Sequence, residues 1–100
     1  MSRKDDAGKL RWSLLPWDAV AEVVRVLEFG AAKYSIDGWR TVPDAERRYY
    51  DAMIRHVVAS QREARDPESG LLHMSHAACN AIFLVWFALQ RAEVGNDEKD

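Results

Sequence analysis

Three groups of side chains carry residue types that can do chemistry. Glu63, Asp66 and Glu68 place three carboxylates within six residues. Such a cluster resembles an oxygen-rich set for Mg²⁺ or Mn²⁺, and the plainer alternative is a charged surface turn. His73, His76 and Asn80 fall within roughly 60° of one another at helical pitch, and Leu84 and Phe87 continue the same face. Three polar groups at the start of an otherwise apolar helix face can line a ligand site, or they can be satisfied core residues. His56, Ser60 and Glu63 repeat on one stripe with Tyr49 and Met53. A carboxylate on a core-facing stripe needs a cation, a metal or hydrogen-bond donors to offset its desolvation. His73-x-x-His76 is a looser fit to zinc, which ranks below a hard cation here.

The elements that must position these groups are helical. Pro16 suits a first helical turn and Asp18 suits the positive end of the helix dipole. Val20, Val23, Val24, Leu27, Ala31 and Tyr34 then recur at helical spacing, predicting a helix over about 16–34. Glu22, Val26, Phe29 and Lys33 form a second line on its opposite side, which could meet another subunit and bring Glu22 toward a shared site. Gly30 weakens this helix by about 1 kcal/mol against alanine, so close packing or a ligand would account for it. Ser35 to Trp39 reads as a turn. A second helix is expected over about 44–65, broken by Asp66-Pro67-Glu68-Ser69-Gly70, and a third over about 71–91. The third is apolar nearly all round, which predicts a buried central helix. No segment alternates with period two for long enough to form a strand. Residues 1–14 read as a polar arm and 93–100 as a charged, frayed tail. The whole is one all-α domain over 1–100 with three main helices.

Composition narrows the function classes. A net charge of −2 gives no general attraction to duplex nucleic acid or anionic membrane. The start of the chain has no apolar stretch after its charges and the longest apolar run, Ala81 to Leu89, is too short to span a bilayer, so a cytoplasmic location is expected. The single cysteine, Cys79, excludes an intrachain disulfide and reads as a small buried hydrophobe. A hydrophobic content of 48% with four Trp is generous for one three-helix unit and favours self-association. Neither a glycine-rich phosphate loop nor a Ser-His-Asp nucleophile order is present.

Several blocks together resemble a known family. Lys4-Asp5-Asp6-Ala7-Gly8-Lys9 with Leu14-Leu15-Pro16, then Phe29-Gly30-Ala31-Ala32-Lys33-Tyr34 with Trp39, are similar to a phage family of dATP/dGTP diphosphohydrolase-like proteins. Tyr50, Arg55-His56, Asp66-Pro67-Glu68-Ser69-Gly70 and His73, His76, Ala77 and Asn80 continue the match in order. The resemblance implies a MazG-like all-α helical bundle assembled as a dimer or tetramer. It also implies metal-dependent cleavage of a purine deoxynucleoside triphosphate to monophosphate and pyrophosphate, in the host-cell cytoplasm if the chain is phage-encoded. On this reading Glu63, Asp66 and Glu68, with Glu22, hold Mg²⁺ or Mn²⁺ on the phosphates. Lys9, Lys33 and Arg55 pair with phosphate oxygens, and Trp39 or Tyr34 stacks on the purine. Asn80 reads the base edge, while His56, His73 or His76 orients water or phosphate. Trp39 has an equal alternative as a turn-packing residue.

One departure stands out. The wider MazG superfamily uses an E-x-x-E pair and a later E-x-x-D pair. Glu63-Ala64-Arg65-Asp66 spells the second, but Glu22 and Glu28 have the wrong spacing for the first. The competing class is therefore a non-catalytic binder that sequesters a cyclic or signalling nucleotide. A plain helical oligomerisation module is the third.

Overall fold

The computed structural model describes residues 7–99, with side chains through Glu93. The Lys4-Asp5-Asp6 portion of the N-terminal arm and Asp100 of the tail lie outside the described residues. After a 3-10 turn at Trp12–Leu14, the chain forms α1 (Trp17–Lys33), a second 3-10 turn (Gly38–Thr41), α2 (Ala45–Ala59) and α3 (His73–Lys99). The only β pairing among the described residues is an isolated antiparallel bridge between Arg65 and Leu72. The fold is all-α.

Local chemistry fixes these elements. Pro16 caps α1, and Asp18 Oδ1 accepts the Ala19 amide at 2.9 Å where the first-turn donors lack helical partners. At the turn before α2, a Cβ on Gly38 would lie 2.4 Å from Ser35 Oγ, so a larger residue there would make the serine side chain rotate away. α3 is the shared partner, packing against α2 along most of their common length and against α1 more briefly. The α2–α3 contact closes on an aromatic cluster. Trp39 stacks on Phe83 (4.3 Å between centroids, 11° between planes) with Trp86, Phe87 and Tyr49 around it. Tyr49 Oη donates to the Trp39 carbonyl at 2.9 Å, and Arg91 pairs with Glu46.

Three sequence expectations change. α2 ends at Ala59, not near residue 65. The amides of Gln61 and Arg62 turn back onto the carbonyls of Val58 and Ala59, and Ser60 Oγ donates to Val57 O, so the helix tightens and stops. Glu63 is therefore a turn residue. α3 starts at His73 and continues to Lys99, beyond the expected end near 91; Gly95 costs a helix only about 1 kcal/mol, and no proline intervenes. The charged tail is thus helical through Lys99.

The third change concerns faces. On α1 the line Glu22, Val26, Phe29 turns inward, with Val26 buried, while Val24, Leu27 and Tyr34 of the more apolar stripe are exposed. On α3, Met74, Ile82, Val85 and Leu89 are exposed too, so this helix is central but buried on one side only. Solvent-accessible surface totals 7814 Å², against about 5,800 Å² for a compact monomer of this mass. The radius of gyration is 16.7 Å, where a compact chain of this length has about 13 Å. No helix among the described residues is long and apolar enough to cross a membrane.

Candidate functional site

The buried residues of the chain include four polar ones, and all four lie in the first two turns of α3: His73, Ser75, His76 and Asn80. Burying such groups is costly without partners, and the side chains of His73, His76 and Asn80 each have one.

The segment between α2 and α3 is built around Asp66. Its backbone amide donates to Leu71 O and its carbonyl accepts from Gly70 N, both at 2.8 Å. Oδ1 accepts from the amides of Glu68 (2.7 Å) and Ser69 (3.1 Å), closing a turn in which Gly70 takes the left-handed conformation at φ +74°. The His73 amide donates to Ala64 O at 2.8 Å, so the start of α3 is fastened to the same segment. The sequence Asp-Pro-Glu-Ser-Gly is a folded loop that delivers Asp66 and Ser69 to fixed places.

Around it the histidines converge. His56, in the last turn of α2, has Nδ1 2.9 Å from Nδ1 of His73. His73 Nε2 lies 3.3 Å from Glu63 Oε1, and its Nδ1 lies 4.0 Å from Asp66 Oδ2. His76 stacks flat on His56 (4.5 Å, 11°), and its Nε2 is hydrogen-bonded to Ser69 Oγ at 2.7 Å. Phe29 of α1 presents an edge to the His76 ring. Burial holds the His56 and His76 imidazoles below the ordinary histidine pKa, and for His56 the neighbouring histidines add to the effect. For Asp66, burial pushes the carboxyl up, but the two backbone amides and the neighbouring histidines outweigh it and leave the group below its ordinary value. At neutral pH the cluster thus offers an ionised carboxylate beside the uncharged rings of His56 and His76. His56, Asp66 and His73 each offer one ligand atom, and the three atoms lie within 4.8 Å of one another.

The remaining sequence candidates are distributed as follows. Glu68 is exposed and bonded to Lys33 Nζ at 2.5 Å, which ties it to the last turn of α1. Lys33 also lies 5.2 Å from the ring of Tyr34, which is exposed. Glu22 pairs with Arg25 and is about 16 Å up the helix axis from Lys33, apart from the other acids. Lys9 is exposed on the N-terminal arm. Arg55 lines an open groove of about 600 Å³ with Ile54, Val58, Ala59, Arg62 and Glu63. Asn80 is buried and donates to the His76 carbonyl one turn back. Trp39 belongs to the aromatic cluster at the far end, stacked on Phe83 with the Arg40 guanidinium 4.5 Å from its ring. It is a packing residue there and offers no base platform.

Two residues escaped the sequence reading. Ser69 anchors His76, and its signal was present in the Asp-x-x-Ser-Gly loop ahead of a histidine. Arg62 joins Arg55 on the groove, and their seven-residue spacing, which puts both on one helical face, was the signal for it.

The chain matches the family described as "dATP/dGTP diphosphohydrolase, N-terminal" over residues 1–97. It is 36% identical over 89 residues to a "dATP/dGTP diphosphohydrolase" of Salmonella phage PMBT28. That match covers 88% of this chain and 30% of the phage protein, so the chain spans about a third of its relative. No solved structure matches it.

Proposed function

Because the chain belongs to the dATP/dGTP diphosphohydrolase N-terminal family, we propose that it binds a purine deoxynucleoside triphosphate and takes part in its metal-dependent hydrolysis to monophosphate and pyrophosphate. The observation that carries this reading is the partly buried His–Asp cluster beside a groove that holds Arg55, Arg62 and Glu63.

The chemistry is the attack of water on the α-phosphorus, with cleavage of its bond to the bridging oxygen of the leaving pyrophosphate. A divalent cation supplies charge neutralisation and an acidified water in such reactions. The chain's own residues do the rest. Arg55 and Arg62 flank the groove with guanidinium groups suited to forked phosphate contacts. Glu63 joins the groove to the cluster through His73. Asp66, His56 and His73 would hold the cation, and Tyr34 is the exposed aromatic available to a base. A charge-neutralised Glu68 helps hold Lys33 beside the loop.

Self-association belongs to the same proposal. The exposed Val24 and Leu27 of α1 and Ile82, Val85 and Leu89 of α3 are apolar surface that a second copy would cover, and the excess over a compact monomer is about 2,000 Å². Sedimentation at micromolar concentration should give a dimer or larger; an 11.4 kDa particle overturns this part.

The decisive experiment is product analysis by ³¹P NMR after incubating the chain with each deoxynucleoside triphosphate and Mg²⁺, Mn²⁺ or Zn²⁺. Monophosphate and pyrophosphate from dATP or dGTP are expected. Tight binding of a nucleotide returned intact would replace the hydrolase with a binding module, and release of orthophosphate or triphosphate would overturn the reaction type.

A further inference from the structure

We infer that His56 Nδ1, His73 Nδ1 and Asp66 Oδ2 form the first coordination shell of a transition-metal ion, of the class of Zn²⁺, Co²⁺ or Mn²⁺, with Glu63 as the carboxylate behind His73. The inference deepens the functional reading of this cluster and rests on it, but it is tested by metal binding alone.

The three donors come from separate stretches of chain: the last turn of α2, the ordered loop and the first residue of α3. Their approach is close to what a six-coordinate ion demands. Two nitrogens held 2.0–2.1 Å from one ion are about 2.9 Å apart at a right angle and about 3.4 Å apart at the tetrahedral angle. His56 Nδ1 and His73 Nδ1 are 2.9 Å apart. Asp66 Oδ2 at 4.0 Å from His73 Nδ1 lies just inside the separation of about 4.2 Å for donors on opposite sides of such an ion. The carboxylate is presented rather than wandering, because Oδ1 is tied to two backbone amides and leaves Oδ2 to face the rings.

The surroundings fix the tautomers. Glu63 at 3.3 Å from His73 Nε2 keeps the proton on that nitrogen and leaves the Nδ1 lone pair turned inward. A ligating histidine that donates its other N–H to a carboxylate is the usual support of a metal-bound imidazole. With no ion, His56 must then carry its proton on Nδ1 to satisfy His73. With an ion bound, that proton moves to His56 Nε2, through solvent, and no net proton is released. His76, stacked on His56 and bonded to Ser69, braces the wall without supplying one of the three donors.

The donor set chooses the ion. Two imidazoles and one carboxylate suit borderline transition metals, whereas Mg²⁺ prefers an all-oxygen octahedron and keeps its waters. Three protein ligands also leave positions open for water or phosphate oxygens, as catalytic sites require. The site thus replaces the all-carboxylate cage read from the sequence: Asp66 is a ligand, Glu63 a positioning residue, and Glu68 and Glu22 are outside it.

The test is calorimetric titration of the metal-free chain with Zn²⁺ and with Mg²⁺, together with long-range ¹H–¹⁵N spectra of the histidine rings. One Zn²⁺ per chain is expected, bound at least about 100-fold more tightly than Mg²⁺. In the same titration His56 should switch from the Nδ1–H to the Nε2–H form, and His73 should keep its proton on Nε2. His56→Gln should abolish stoichiometric Zn²⁺ binding, and Glu63→Gln should weaken it about 10-fold, in line with losing an outer-shell partner. The wild-type ring spectra settle the assignment even if a variant misfolds. Zn²⁺ affinity no greater than that for Mg²⁺, or unchanged His56 and His73 resonances at saturation, overturns the inference. Turnover with Mg²⁺ in that case would leave the hydrolase reading standing. Zn²⁺ bound as described without turnover would sustain the site and remove the hydrolase.

Discussion

The two ends of the α2–α3 pair are made differently. At one end the helices meet through Trp39, Tyr49, Phe83, Trp86 and Phe87, rings packed edge and face with a single side-chain hydrogen bond, from Tyr49 to a backbone carbonyl. At the other they meet through His56, His73 and His76, held by Asp66, Ser69 and Glu63. The aromatic end gains free energy from area removed from water. The histidine end keeps imidazole rings and a carboxylate in a partly dry place and returns that cost only through specific hydrogen bonds. A 100-residue chain with no fully buried large side chain among its described residues has little stability in reserve. The polar end is therefore where function is expected, and the aromatic end is what lets the chain tolerate it.

Truncating the aromatic end should have the largest effect on stability. Phe83→Ala removes the ring on which Trp39 stacks and should lower unfolding free energy by about 3 kcal/mol, at the low side for a core aromatic because the cluster is half-buried. Urea denaturation measures this. Zn²⁺ affinity of the folded fraction should change less than about threefold, since additivity holds for distant sites. Coupled losses in both would show that the two ends are one cooperative unit.

At the polar end the acids should separate sharply. Asp66→Asn should lower turnover of dATP or dGTP by about 100-fold, as expected for a lost preorganised charge. Glu68→Gln, already paired with Lys33 at the surface, should cost less than about 10-fold. Equal losses in steady-state assays would restore Glu68 to the metal cage and defeat the division drawn here.

Cys79 lies on α3 between the two ends and is 4% exposed. Burial raises its thiol to about 11. Because the thiolate is the nucleophile, alkylation by iodoacetamide at pH 8 should be at least about 100-fold slower than for an unfolded thiol. The rate should climb about tenfold per pH unit toward pH 11 while the fold persists. Fast labelling at pH 8 would mean that the middle of α3 opens readily.

Much of this contrast was legible in the residues themselves. The three helices, the loop at Asp66 to Gly70 and the polar start of α3 follow from period, turn chemistry and the run His73, His76, Asn80. What was not legible depended on partners distant in sequence. Trp39 looked equally like a base platform or a packing residue until Phe83 and Arg40 were found against it. α1 carried apolar residues on two sides, and periodicity favoured the richer one; the chain turns the Val26–Phe29 side to α3 and leaves Val24 and Leu27 outside. The end of α2 was misplaced by about six residues because Gln61 to Ala64 are acceptable in a helix, and only the bond from His73 N to Ala64 O shows why the chain leaves it.

Gly30 gives the smallest effect and a direct test of what α1 faces. It lies in a helix interior, where glycine costs about 1 kcal/mol against alanine through backbone entropy. Nothing comes within 4 Å of the position a Cβ would take, and the residue has no positive φ, so packing within one chain gives no reason for the glycine. Gly30→Ala should therefore stabilise the chain by about 1 kcal/mol, raising Tm by about 4–8 °C by differential scanning calorimetry. Phe29 beside it touches His76, and Lys33 one turn on pairs with Glu68 of the loop. If the open space receives nucleotide, the variant will bind purine triphosphate more weakly while its Zn²⁺ affinity is unchanged. If it receives a second copy, dimer dissociation measured by sedimentation will rise instead. A variant that is more stable, binds nucleotide normally and assembles normally would show that this part of α1 is free surface, and would confine the site to the histidine end of the α2–α3 pair.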